Sequence, residues 1–214
     1  MGNSTWNQAR IEPCARQSGV YVSTPELKSQ VRPNPYPTQY VSSWPIRDGT
    51  QVTIRPIRSE DETMMVKFHA TLSDRTVYLR YFTSLSLSRR TAHERLIRIC
   101  NVDYERDMVL IAELRDPQTG EHNIVAVARL NQLQPDPPRK EAEVAALVSD
   151  RYQHQGLGTE LLRRLIQIAR EKQIRRLVAE MLWDNLAIQA ILKSLGFQLC
   201  LPSEGESVQA ALDL

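Results

Sequence analysis

Two glycines spaced one residue apart lie in the stretch Gln153-His154-Gln155-Gly156-Leu157-Gly158-Thr159-Glu160. Before them, Ala142-Glu143-Val144-Ala145-Ala146-Leu147-Val148-Ser149 has the small and branched residues of a strand. After them, Leu161, Leu162, Leu165, Ile166 and Ile168 recur at helical spacing, with Arg163, Arg164, Gln167 and Arg170 between. A strand, a short glycine loop and a helix place unpaired backbone N–H groups and the positive end of the helix dipole together, which favours an anion. Glycine at 156 and 158 removes Cβ atoms that would hold a phosphate off the backbone. The expected ligand is a phosphate or pyrophosphate; a tight strand-to-helix turn with no ligand is the plainer alternative.

The glycine pattern narrows the ligand. A P-loop needs Lys after its second glycine, and none stands here. A dinucleotide fingerprint needs a third glycine where Leu161 stands. Gln-x-x-Gly-x-Gly opening an amphipathic helix resembles the acyl-CoA pyrophosphate loop of the GNAT superfamily of N-acyltransferases.

The elements that must position this loop are legible along the chain. Its 214 residues, 42% hydrophobic and 24% charged, suit one globular domain with a tail, and a net charge of +2 argues against a nucleic-acid partner. No apolar run approaches a membrane span, the first residues lack a secretory signal, and Met1-Gly2 with Thr5 does not complete a myristoylation pattern. Cys14, Cys100 and Cys200 lack metal-ligand spacing; a reducing cytoplasm suits them, with Cys100 and Cys200 expected as small buried residues. Residues 1–45, polar and broken by Pro33, Pro35 and Pro37, are expected to be a flexible leader and linker, and residues 46–214 the domain proper.

Gln51 to Ile57 reads as a first strand, and Ser59 with Glu62 as a capping box opening a helix that buries Met64, Met65, Phe68 and His69, the last as a satisfied core or rim histidine. Ser73 to Phe82 is a second helical piece. Ser88 is expected to cap a third helix, with Ala92, Leu96, Ile97, Ile99 and Cys100 inward and Arg89, Arg90, His93, Arg95 and Arg98 outward. That basic side is either a solvated face or a surface for acidic substrates or proteins. Asp107 to Leu114 and Asn123 to Leu130 make a hairpin around Asp116 to Gly120, and Glu141 to Val148 the next strand. Arg175 to Leu182 is a strand, Asp184 or Asn185 caps a helix that Gly196 ends, and Phe197 to Leu201 with Val208 to Leu212 can close as a hairpin. This order is α+β.

It also matches the GNAT fold, which implies a mixed, mostly antiparallel central sheet with helices on both faces. Asn185-Leu186-Ala187-Ile188 leading to Leu195-Gly196-Phe197 is similar to the family's second motif, with Ile188 where Ala is usual. Ile54 to Asp61, Leu72 to Phe82, Ala92 to Leu96 and Asp103-Tyr104 resemble one branch, often fused to an acyl-CoA-synthetase-like domain that is absent here, whose members acetylate protein lysines. The resemblance implies acetyl-CoA as co-substrate, held by Gln153, His154, Gln155, Gly156, Leu157, Gly158, Thr159 and Asn185. It also implies a backbone N–H near Leu147 or Val148 as donor to the acyl oxygen.

A lysine amine, with a pKa of about 10.4, is almost wholly protonated near neutrality, so transfer to it needs a proton acceptor. Alternation in the strand puts Glu141, Glu143, Ala145 and Leu147 on one face. Glu143, expected amid apolar neighbours, is the candidate base, as the family's Glu in such a strand implies; Glu141 is the fallback. A rim Glu paired with an Arg is the bland alternative. The Tyr that often protonates the leaving thiolate in this superfamily is replaced by Leu192. With no His placed to activate Cys100 or Cys200, direct attack in a ternary complex is expected. The alternatives are a small amine or amino acid as acceptor, or a non-catalytic acyl-CoA sensor.

Overall fold

In the computed structural model, which describes residues 35–133, 140–200 and 207–214, eight strands form one sheet. They are β1 (Ser42–Pro45), β2 (Gln51–Pro56), β3 (Met108–Arg115), β4 (His122–Gln132), β5 (Glu141–Val148), β6 (Arg176–Leu182), β7 (Gln198–Cys200) and β8 (Ser207–Asp213). Their spatial order is β1-β2-β3-β4-β5-β6-β8-β7, antiparallel throughout except where β5 meets β6. The expected mixed sheet with helices on both faces is what forms, and the closing hairpin inserts its second strand, β8, beside β6.

The helices are α1 (Glu62–Ala70), α2 (Asp74–Tyr81), α3 (Leu87–Arg90), α4 (His93–Cys100), α5 (Leu157–Glu171) and α6 (Leu186–Ser194). Two apolar clusters divide the sheet's faces. Leu161, Leu162, Leu165 and Ile168 of α5 cover Ala126, Ala128, Ala142 and Val144 on one face. Met65, Phe68, Val77 and Leu96 of α1, α2 and α4 cover Val109, Ile111 and Ile124 on the other. Fully burying such a side chain stabilises by about 1.5–3 kcal/mol, so these two layers fix which face of each strand meets which helix.

Four local expectations are corrected. The body takes in residues ahead of 46: β1 pairs with β2, the Tyr36 hydroxyl donates to Pro56 O at 2.8 Å, and the Tyr40 hydroxyl donates to Glu171 Oε2 at 2.6 Å. Residues 1–34 lie outside the described residues. The Ser59–Glu62 box is replaced by Asp61, whose Oδ2 accepts from Arg58 N–H at 2.7 Å. Buried Arg55 clamps Asp61 through two hydrogen bonds of 2.7 and 2.8 Å, and holds Glu113 at 2.6 Å, tying β2, β3 and the start of α1. The third helix is broken into α3 and α4, Ser86 rather than Ser88 caps α3, and Arg90 is buried at its end. Cys200 is exposed on the edge strand β7, while Cys100 is buried.

Candidate active site

β5 and β6 run parallel for only three residue pairs, Glu141 opposite Arg176, Ala142 opposite Leu177 and Glu143 opposite Val178. Beyond them the strands part. β5 keeps its other edge on β4 as far as Val148 opposite Ala126. The wedge left between β5 and β6 is a cleft of about 490 Å³, a size that takes a large cofactor. Ser149 N–H donates to Val125 O, which sets the parity of the ladder. Leu147 therefore turns its N–H toward β4, while Ala146 and Val148 turn theirs into the wedge.

α5 begins at the cleft. Glu160 N–H is the first to find an acceptor inside the helix, on Gly156 O, so the N–H groups of Leu157, Gly158 and Thr159 precede it at the cleft wall. His154 (φ 60°) and Gly156 (φ 88°) take left-handed backbone to turn the chain there. A non-glycine residue held so costs on the order of 1–3 kcal/mol, a strain that recurs at ligand-binding loops. A Cβ on Gly156 would come within 3.2 Å of the Trp44 ring, whereas one on Gly158 would make ordinary contacts with Ile191 and Val148. Glu160, a carboxylate in the first turn, would oppose a phosphate. It is buried and paired to Arg164 at 2.7 Å and to Arg163, which removes that conflict.

A chain of polar contacts fixes the loop to α2. Ser73 Oγ and N–H and Thr76 Oγ1 donate to Asp150, at 2.6, 2.9 and 2.8 Å. Burial would raise the Asp150 carboxyl, but these hydrogen bonds outweigh it and hold it below its usual range. Gln153 Nε2 donates to Thr76 Oγ1 at 3.1 Å and to Val148 O at 3.2 Å. Gln153 is thus a brace for the end of β5. Asn185 Oδ1 accepts from Ile188 N–H as the cap of α6, the alternative that wins over Asp184.

Nine of the residues expected to hold the co-substrate line the cleft: Leu147, Val148, Gln153, His154, Gly156, Leu157, Gly158, Thr159 and Asn185. Gln155 does not. Its backbone oxygen accepts from Arg47 N–H at 3.2 Å. Leu192 is buried on the cleft wall, and Tyr152 is the only phenol among the described residues that line it. Arg47, Thr76, Leu79 and Arg80 also line the cleft without any local sequence signal. Arg47 comes from the turn after β1 and the others from α2.

Glu143 is half-buried on the face of β5 away from α5, as alternation requires, and is not on the cleft wall. Its surroundings are corrected from apolar to polar. Asn131 stands opposite it on β4, Arg129 is two residues away on that strand, and Arg80 of α2 feels its charge. Glu141 stands at the far end of β5, beside Arg176.

A family model described as an acetyltransferase (GNAT) domain matches residues 51–198. This chain is a GNAT acetyltransferase, and acetyl-CoA is its co-substrate. It is 29% identical over 150 residues to acetyltransferase PA5475 of Pseudomonas aeruginosa, covering 70% of this chain and 76% of that one. It superposes on the GNAT domain of S. lividans PAT with a TM-score of 0.72 at 28% identity, covering 84% of this chain and 99% of the other. A cAMP-binding acyltransferase from Mycobacterium smegmatis shares the fold, with a TM-score of 0.52 and 24% identity, over 82% of this chain and 48% of its own. The splayed strands, the 490 Å³ cleft and the free N–H groups at the start of α5 fit a co-substrate that carries a pyrophosphate and a thioester.

Proposed function

We propose that this N-acetyltransferase acetylates lysine side chains of proteins in the cytoplasm, by direct attack of the amine within a ternary complex. The support is the rim of the cleft. Trp183 and Leu186, 64% and 70% exposed, flank Asn185. Beside them, Arg75 of α2 reaches Asp184 at 3.9 Å. Large exposed apolar side chains around a site mark a surface for a macromolecule. The sequence segments similar to the lysine-acetylating branch, and the likeness to S. lividans PAT, point the same way.

Acetyl-CoA supplies a thioester whose carbonyl is open to attack. In the proposed scheme Glu143 accepts the amine's proton, through water where it stands off the cleft wall. The wedge-facing N–H of Val148 or Ala146 meets the negative charge that grows on the acyl oxygen. No metal is called upon. Leu192 offers no proton to the departing thiolate, which with a pKa of about 8.5 is a tolerable leaving group unaided. The loss also gives a non-catalytic acyl-CoA sensor one observation in its favour.

Incubation with labelled acetyl-CoA and a panel of proteins and small amines tests the proposal. Label on internal lysines is the expected result. Label confined to small amines would overturn the protein acceptor, and binding without label on any acceptor would favour the sensor.

A further inference from the structure

On the face of β5 opposite α5, three arginines from three elements converge on a second, small cavity of about 70 Å³: Arg80 of α2, Arg95 of α4 and Arg129 of β4. None of the three makes a salt bridge within 4 Å among the described residues. Arg129 Nε donates to Asn131 Oδ1. The Arg95 and Arg80 guanidinium groups lie 4.9 and 5.4 Å from the centre of the Tyr81 ring, which holds them by cation–π attraction without neutralising them. Arg80 is attracted by Glu143 and repelled by Arg129 and Arg95. Three cations thus face one carboxylate.

The cavity has a second feature that points to a ligand. His69 lines it, is 1% exposed, and neither of its ring nitrogens has a hydrogen-bond partner. Arg95 Nε also lacks one. Burial, with Arg90 and Arg95 nearby, pushes His69 down to about 4, so its ring is neutral at pH 7 and carries one N–H with no acceptor. Buried donors are nearly always satisfied, and unpaired guanidinium forks match the two oxygens of a carboxylate. The cavity has room for a group of that size, since a water takes up about 30 Å³. Arg80, Ala145, Ala146 and Leu147 border both this cavity and the 490 Å³ cleft, so a molecule seated here reaches the splayed strand.

We infer that the cavity holds a carboxylate of the acetyl acceptor, so that preferred acceptors are amines that also bear an acid group able to reach this cavity. The inference rests on the amine standing at Glu143, as proposed above. The carboxylate comes from one of two sources, a free carboxyl of a small molecule or chain terminus, or an Asp or Glu side chain beside a lysine.

Matched acceptors decide it. With the full chain, kcat/KM is measured for Nα-acetyl-lysine against its amide, and for the end-blocked peptides Gly-Lys-Asp-Gly and Gly-Lys-Asn-Gly. At least one acid member should exceed its neutral twin tenfold or more, mainly through KM. An advantage confined to Nα-acetyl-lysine assigns a free carboxyl, and one confined to the Asp peptide assigns a side chain. In Arg95→Gln and Arg129→Gln the acid-to-neutral ratio should collapse toward one, and Arg95→Lys should keep part of it. Should either Gln variant melt before assay, the wild-type ratio and the Lys variant still decide.

Equal rates on both members of both pairs would overturn the carboxylate site and leave lysine transfer standing. Should no lysine acceptor be labelled, calorimetry with Nα-acetylglycine separates the two claims. Binding lost in Arg95→Gln keeps the anion site and rejects the lysine acceptor, whereas no binding rejects the site as well.

Discussion

Glu143 stands where β5 and β6 make their last pair before parting, with Arg129 and Arg80 close by and no hydrogen-bond partner among the described residues. Glu143→Gln keeps its shape and removes the proton acceptor. Turnover should fall by roughly 10²–10⁴-fold while acetyl-CoA affinity holds, and part of the loss should return at alkaline pH, where more amine is free. Rate against pH, beside calorimetry, checks this; near-normal turnover at neutral pH would move the base to Glu141 or to water. The two glycines should behave differently. Gly158→Val puts methyl groups into the cleft from a position whose Cβ is tolerated, so acetyl-CoA should bind tenfold or more weaker, about 1.4 kcal/mol, with little change in Tm. Gly156→Val forces a β-branched residue to φ 88° against Trp44, so the fold itself should lose about 1–3 kcal/mol. Unchanged affinity in folded Gly158→Val would remove the phosphate loop. The loop was readable because glycine is demanded at fixed places, and the parity of Glu143 because strands alternate. Its arginine neighbours were not, since they arrive from β4 and α2 through tertiary packing.

At the scale of elements, β1 is the least legible from sequence and carries a clear expectation. It is a polar, largely exposed edge strand ended by Pro45, so neither hydrophobic alternation nor composition marks it. Yet Trp44 covers Gly156, and Tyr36 and Tyr40 anchor the segment before it. A chain starting at residue 35 should fold and bind acetyl-CoA. One starting at residue 46 should lose about 2 kcal/mol or more for the Trp44 contact, lowering Tm by roughly 4–8 °C. Equal melting of the two would show that residues 35–45 add nothing. The broken third helix illustrates the same limit. Periodicity from 88 to 100 is continuous, but the chain turns at Thr91 and Ala92, and that turn sends Arg90 and Arg95 inward. A single uninterrupted helix would place both on the solvent side.

For the whole molecule, the order β6-β8-β7 and the short β5–β6 pairing are properties of pairing across distant segments, and no local pattern in the chain encodes them. His69 gives the molecule a pH dependence. Burial, then Arg90 and Arg95, hold it at about 4 against an ordinary 6.5, so the unfolded chain takes up the proton first. Stability contributed by the neutral ring is complete above pH 6.5 and is lost as pH falls from 6.5 to 4, by roughly 3 kcal/mol in all. Asp48, Asp116 and Asp150 are held below 3.8 and lose their contributions only below that window. Urea unfolding at pH 7, 5.5 and 4.5 should show the decline, and His69→Leu should flatten it. An equally steep decline in the variant would assign the effect elsewhere.

Because β5 and β6 touch for three pairs and then diverge, the sheet behaves as two plates sharing a short hinge line, with β6, β8 and β7 on the smaller plate. A molecule spanning the gap rivets one plate to the other. The amide hydrogens of β6 and β8 should then exchange more slowly with saturating acetyl-CoA, while those of β2 and β3, beyond β4, keep their rates. Equal slowing, or none, in β6 and β8 relative to β2 and β3 would show that acetyl-CoA does not brace the smaller plate.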